Sequence, residues 1–208
     1  MSNDKVAVGV RAAVLASLLC APAIAADLSV TVADAQGVAV PDAAVYLLPL
    51  QGKAPKGTQK GSIEQMDKTF IPYVSIVQAG TVVSFPNKDT VRHHVYSFSA
   101  PKVFDLKLYS GTPSQPVVFD KPGLVALGCN IHDWMLAYVL VVETPWFAVS
   151  KDRGNAVVEN VPAGDYNMLI WHPRMKEEMM QQIKIGASAQ AVRVRVTLSK
   201  PDLRRQGG

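Results

Sequence analysis

Apolar and polar residues alternate along many short stretches of this chain. Leu28, Val30 and Val32 alternate with Ser29 and Thr31, as a half-buried strand requires, and a turn follows at 34–37. A second strand is expected from Ala43 to Leu48, stopped by Pro49. Residues 51–61, rich in Gly, Lys and Pro, read as an exposed loop. Further strands are expected at Ile71 to Val77, Thr81 to Phe85, Val91 to Phe98, Val117 to Phe119, Leu124 to Leu127 and Ala137 to Val142. Beyond Pro145 the pattern predicts strands at Ala156 to Val161, Tyr166 to Trp171 and Ala191 to Leu198, with one short helix over Arg174 to Gln182. Many short strands, regular turns and no βαβ rhythm predict an all-β chain built as an antiparallel sandwich or barrel.

Composition narrows this only a little. With 49% hydrophobic and 18% charged residues the chain has the means to pack, and is not a disordered one. The 21 Lys and Arg against 17 Asp and Glu are scattered, without the basic stripe of a nucleic-acid protein. No apolar run reaches the ~18–20 residues that span a bilayer. The first residues carry a different signal. Lys5 and Arg11 precede an apolar stretch from Ala12 to Leu19, and Ala23 and Ala25 suit a signal peptidase, so residues 1–25 are expected to be a cleaved secretory leader. Bulky Leu19 before Cys20 argues against lipid attachment there. Loss of Asp4, Lys5 and Arg11 takes the net charge from +4 to +3. Loss of Cys20 leaves Cys129 without a disulfide partner in an oxidising compartment.

One constellation carries chemistry. Cys129, His132 and Met135 fall within seven positions after Gly128, and His93 and His94 lie upstream on another expected strand. Two imidazoles, one thiolate and a weak thioether suit a single copper ion that cycles between two oxidation states. Alternation puts His93 on a face with Val95 and Ser97, and His94 with Tyr96 and Phe98. The second face is the more apolar, which by itself favours His94 as the inward residue; both histidines stay candidates. Structural zinc wants four firm ligands, for which methionine is a poor fourth. A dinuclear copper centre would need a second cysteine in the loop. No Ser-His-Asp arrangement or supported carboxylate pair points to an enzyme.

Cys129, His132 and Met135 resemble the short ligand loop of amicyanin-like cupredoxins, and Asn87 to Val95 is similar to the cupredoxin segment that normally ends Pro-His-Asn-Val. The resemblance implies a cupredoxin-like antiparallel sandwich. It also implies copper held by His93, Cys129 and His132, with Met135 axial. Phe85 to Tyr138 looks more closely like plastocyanin-like periplasmic proteins of the methylamine utilisation type, a label of genomic neighbourhood that implies no methylamine chemistry. His94 stands where that pattern has an Asn tying the two ligand segments together, and Arg92 where it has Pro.

The flanks resemble a carboxypeptidase-regulatory-like sandwich, through residues 32–45 and 152–166. That implies a second, smaller transthyretin- or Ig-like β-sandwich, split by the copper domain between about Leu50 and Thr144. The alternative is that 27–50 are the first strands of the cupredoxin itself. The expected partition is a leader at 1–25, N-terminal strands at 26–50, a copper domain at 51–145, a regulatory-like segment at 146–199 and a basic tail at 200–208. The expected function is periplasmic carriage of single electrons. Four protein ligands leave no open position for a substrate, so no enzyme activity is expected. Docking would be transient, with redox proteins such as a cytochrome or dehydrogenase, acidic ones suiting a charge of +3. No nucleic-acid partner and no membrane span after leader cleavage are expected. A rival is copper delivery or buffering, whose support is Met168, Met175, Met179 and Met180. A structural sandwich with a vestigial site is the third reading. Trp134 would shield the metal, dock a partner or simply pack, and His172 reads as a surface turn residue beside Pro173.

Overall fold

The computed structural model describes residues 25–113 and 115–201; residues 1–24, where the leader was expected and Cys20 lies, and residues 202–208 fall outside them. The described residues form strands and turns. In chain order the strands are β1 (Ala25–Asp34), β2 (Ala44–Pro49), β3 (Lys60–Ser62), β4 (Glu64–Met66), β5 (Thr69–Ile71) and β6 (Val74–Gln78). They continue with β7 (Thr81–Ser84), β8 (His93–Ser99), β9 (Lys102–Tyr109), β10 (Val117–Phe119), β11 (Gly123–Gly128) and β12 (Leu136–Val142). The last five are β13 (Phe147–Val149), β14 (Asn155–Pro162), β15 (Gly164–Trp171), β16 (Met179–Ile185) and β17 (Gln190–Val196).

Four sheets stack in layers. The outermost on one side is β14-β1-β17, followed by β13-β2-β15-β16, then β6-β12-β11-β8-β9, then β10-β7-β3. A small β4-β5 hairpin stands beside them. Three cores fill the gaps. Leu28, Val30 and Val32 of β1 meet Val45, Leu47, Met168 and Ile170 between the first two layers. Phe85, Phe119, Val125, Leu127 and Val139 fill the gap between the last two. Between these sandwiches, Ala44 and Tyr46 of β2 pack on Val74, Ile76, Leu140 and Val142 of β6 and β12. Tyr138 meets Trp171 edge-to-face there, with ring centroids 5.5 Å apart.

This stacking explains two apolar runs. A strand with one face in water alternates, as β1 does. A strand covered on both faces has no use for polar positions. Ala44 to Leu47 are all buried, and so are Val139 to Val142, because each serves two cores at once. Strands β1 and β2 pair with strands drawn from 147–196: β1 runs parallel to β17 and antiparallel to β14, and β2 lies between β13 and β15.

One sequence expectation needs correction. No helix spans Arg174 to Gln182; residues 172–178 are a turn, a bend and irregular chain, and Met179 opens β16, paired with Ile170. Met179, Ile183 and Ile185 face the core while Met180, Gln182 and Lys184 face water, a period of two that mimics helix spacing only when Met175 is counted in. Ile71 to Val77 also divides, into β5 and β6, around Pro72.

Gly154 is the tightest backbone contact in the outer sandwich. Its φ is +72°, its carbonyl accepts the Val32 amide at 2.7 Å, and a Cβ there would lie 2.2 Å from the Val32 carbonyl oxygen. Gly154→Ala should therefore lower unfolding stability by on the order of 2–4 kcal/mol, read from the denaturant midpoint.

Candidate metal centre

The site is assembled where β8 begins and where β11 turns into β12. Strand β11 pairs with β12 along its whole length and with β8 at Gly128, opposite Tyr96. A Cβ on Gly128 would come within 2.7 Å of the Tyr96 ring, so that ring lies over the space the glycine leaves open just before Cys129. The loop 129–135 then folds back, with the Met135 amide donating to the His132 carbonyl at 3.0 Å. Cys129 and Met135, 4% and 2% exposed, are members of the hydrophobic core beneath the loop. They line one recess together with Tyr96 and Trp134.

His93 arrives from the other side. The segment before it is held by Asn87, whose Nδ2 donates to the carbonyls of Val91 (2.8 Å) and Tyr109 (3.1 Å), and whose Oδ1 accepts the Asp89 amide (2.9 Å). His93 is fully buried, with its ring 5.0 Å from that of His132. One ligand atom each from His93, Cys129 and His132 lie within 4.8 Å of one another. His132 is only half-buried, and its ring is 5.2 Å from that of Trp134, itself 42% exposed.

His94 behaves differently. Its Nε2 is hydrogen-bonded to Asp105 of β9, and its ring stacks towards Tyr96 at 5.4 Å. The apolar-face argument for His94 is thus overturned. The inward face of β8 is His93, Val95 and Ser97, while Phe98 at the far end of the other face is 81% exposed. A register shift between His93 and Val95 in the pairing with β9 lets both adjacent histidines be buried.

The electrostatics suit cation binding. Burial, then the neighbouring His93 and Lys68, hold the His132 imidazole below its ordinary value against the opposing Asp89, favouring the neutral ring that a metal needs. Burial would raise Asp89, but the Lys68 amide, His93 and the Asp67 amide outweigh it and keep the carboxyl below its usual range. Tyr109 is pushed up to about 12, chiefly by burial, with the Cys129 sulfur adding to it against a bond from Gln65. The Tyr109 hydroxyl donates to the Phe85 carbonyl at 2.7 Å.

The donor set fits copper. Nδ1 of His93 and Nδ1 of His132 are buried without a hydrogen-bond partner, a condition that costs ~1–3 kcal/mol per group unless something else satisfies it. Nδ1 of His94 is also buried and unpartnered, yet that ring lies outside the three-residue group. Two imidazoles and a thiol converging in a largely water-excluded corner form a His2Cys set, for which copper is the matching ion. Met135 shares the recess with Cys129, in keeping with a weak axial thioether. Reasoning from sequence missed Asp89, Asn87 and Asp105. Asp89 had a visible signal, an acidic residue four positions before a candidate ligand in a turn.

No protein-family model matches this sequence, and no curated protein matches it. Solved structures do resemble parts of it. A copper-containing nitrite reductase from Thermus scotoductus SA-01 is 24% identical over 46% of this chain and a quarter (25%) of its own, with a TM-score of 0.39. A purple cupredoxin from Nitrosopumilus maritimus is 22% identical over 39% of this chain and 99% of its own, at 0.35. A variant amicyanin in its reduced Cu(I) form is 15% identical over 43% of this chain and 86% of its own, at 0.36.

The two histidines can be told apart by substitution. His93→Ala should abolish tight copper(II) binding measured by chelator competition. His94→Ala should keep it within about tenfold, the low end of what an outer hydrogen-bonding residue contributes.

Proposed function

We propose that this protein is a cupredoxin-type copper protein that carries single electrons between partners in the periplasm. The observation that carries the reading is the convergence of His93, Cys129 and His132 within 4.8 Å, with both imidazole Nδ1 atoms buried and otherwise unsatisfied. Copper bound there would supply a one-electron couple, with the thiolate and a methionine tuning it. The chain does the rest. Cys129 and Met135 sit in a packed core, which keeps water out and leaves little to reorganise when the charge changes. His132 alone of the three reaches the surface, beside Trp134 and Ile131, and is the natural exit for the electron. A carrier needs weak, transient docking, and a basic protein favours acidic redox partners. With four protein ligands there is no open coordination position for a substrate, which favours carriage over catalysis.

Copper delivery has less support. Met168 and Met175, offered as a loading surface, are buried in the core of the sandwich farther from the site, and Met179 packs against it. Met180 is the exposed one.

The test is reconstitution of the metal-free protein with one equivalent of copper(II). An intense visible sulfur-to-copper band and narrow copper hyperfine splitting are expected, both lost in Cys129→Ser. A pale spectrum indifferent to Cys129 would sink the reading. Rapid loss of copper(I) to a weak chelator would transfer support to delivery.

A further inference from the structure

The two ring nitrogens of His93 differ in their surroundings, and the difference begins at Asp89. Nε2 of His93 lies 2.7 Å from Asp89 Oδ2, and the histidine is wholly buried. A neutral imidazole carries one proton, and an acceptor at Nε2 keeps it there and leaves the lone pair on Nδ1. Nδ1 is the atom that the structure leaves buried and unpartnered.

Asp89 is itself held from three directions. Its Oδ1 accepts the Asp67 amide at 2.8 Å, its Oδ2 accepts the Lys68 amide at 2.9 Å, and its own amide donates to Asn87 at 2.9 Å. Asp67 and Lys68 form the two-residue turn between β4 and β5, with φ of 54° and 56°. Two positive φ values are the mark of a tight hairpin turn of the I′ class. Here that turn aims two consecutive backbone N–H groups at one carboxylate, more than twenty residues away in sequence.

We propose that Asp89 is a positioning residue for the metal: the 67–68 turn orients its carboxylate, and the carboxylate fixes the proton on Nε2 so that His93 offers Nδ1. The proposal rests on the copper reading above. Asp89 also brings a full negative charge one imidazole away from the ion. That charge favours the more highly charged copper(II) over copper(I) and makes the imidazole a stronger donor. The other possible role for Asp89 is to tie down the β4-β5 hairpin and nothing more.

Asp89→Asn separates the two roles, since it keeps the shape and an acceptor oxygen but loses the charge. In the full-length metal-free protein, the ring nitrogen-15 shifts of His93 should report a single Nε2–H form in the wild type and a mixture in Asp89→Asn. Copper(II) affinity should fall ~10–100-fold in the variant. Copper(I) affinity should fall less, so the reduction potential rises. An unchanged ratio of the two affinities with an unchanged His93 tautomer would overturn the proposal, even if the metal-free variant melts earlier. A wild-type protein that takes no copper would sink the electron-carrier reading, and the tautomer comparison would then decide the Asp89 proposal alone. Should Asp89→Asn not fold, an Nδ1–H form in the wild type overturns the proposal without it.

Discussion

The position of β11 between β8 and β12 is the arrangement on which the rest of the site depends. It brings the start of one strand, carrying His93, beside the end of another, which Cys129 directly follows, although 36 positions separate the two residues in the chain. The two strands pair at Gly128, where the Tyr96 ring occupies the space a side chain would need. Everything beyond that point is a seven-residue loop whose two ends are tied to a fully paired strand and to a core. Such a loop has few conformations to lose, which suits it to presenting Cys129, His132 and Met135 in fixed positions.

The same sheet is used on both faces. Its inner side packs with Phe85 and Phe119, while Leu140 and Val142 on the outer side pack against Tyr46 and Ala44 of the neighbouring sandwich. The two sandwiches therefore share a continuous core through β12, and a disturbance of one is felt by the strand that follows Met135. This is a denser coupling than a linker between two separate lobes would give, since interdomain contacts are ordinarily smaller and more polar.

Much of this was legible in the residues themselves, for a physical reason in each case. Strands with one wet face, such as β1 and β14, announce themselves by alternation, and the unbroken runs at Ala43 to Leu48 and Ala137 to Val142 announce strands just as clearly. The cysteine, histidine and methionine of the loop stood out because soft sulfur and imidazole are rarely clustered without a use. What alternation could not supply was the side on which β8 faces inward. Tyr96 and Phe98 look like core residues, yet they pack on each other at 5.1 Å on the outer face, while small Ser97 turns in. A strand whose two faces are both partly apolar leaves its register undetermined until its neighbours are known. Strand β9 escaped notice because its outer face carries Asp105 and Lys107, one of which is committed to His94. The segment after His172 misled through its methionines, whose flexible side chains suit a helix and a strand equally well.

Strands β2 and β13 are neighbours in one sheet, with Tyr46 opposite Phe147, yet the chain between Pro49 and Phe147 travels through the whole sandwich that holds the candidate site and back. Its departure and return points are side by side. A guest whose ends already meet imposes almost no stretching on its host, and the entropy of holding such ends together grows only slowly with the length between them. The outer sandwich thus has the connectivity of a hairpin whose turn has been replaced by a second folded body. Shortening that excursion to a few turn residues would leave β2 and β13 with the geometry of an ordinary hairpin, which makes the intervening sandwich a cassette in the architectural sense.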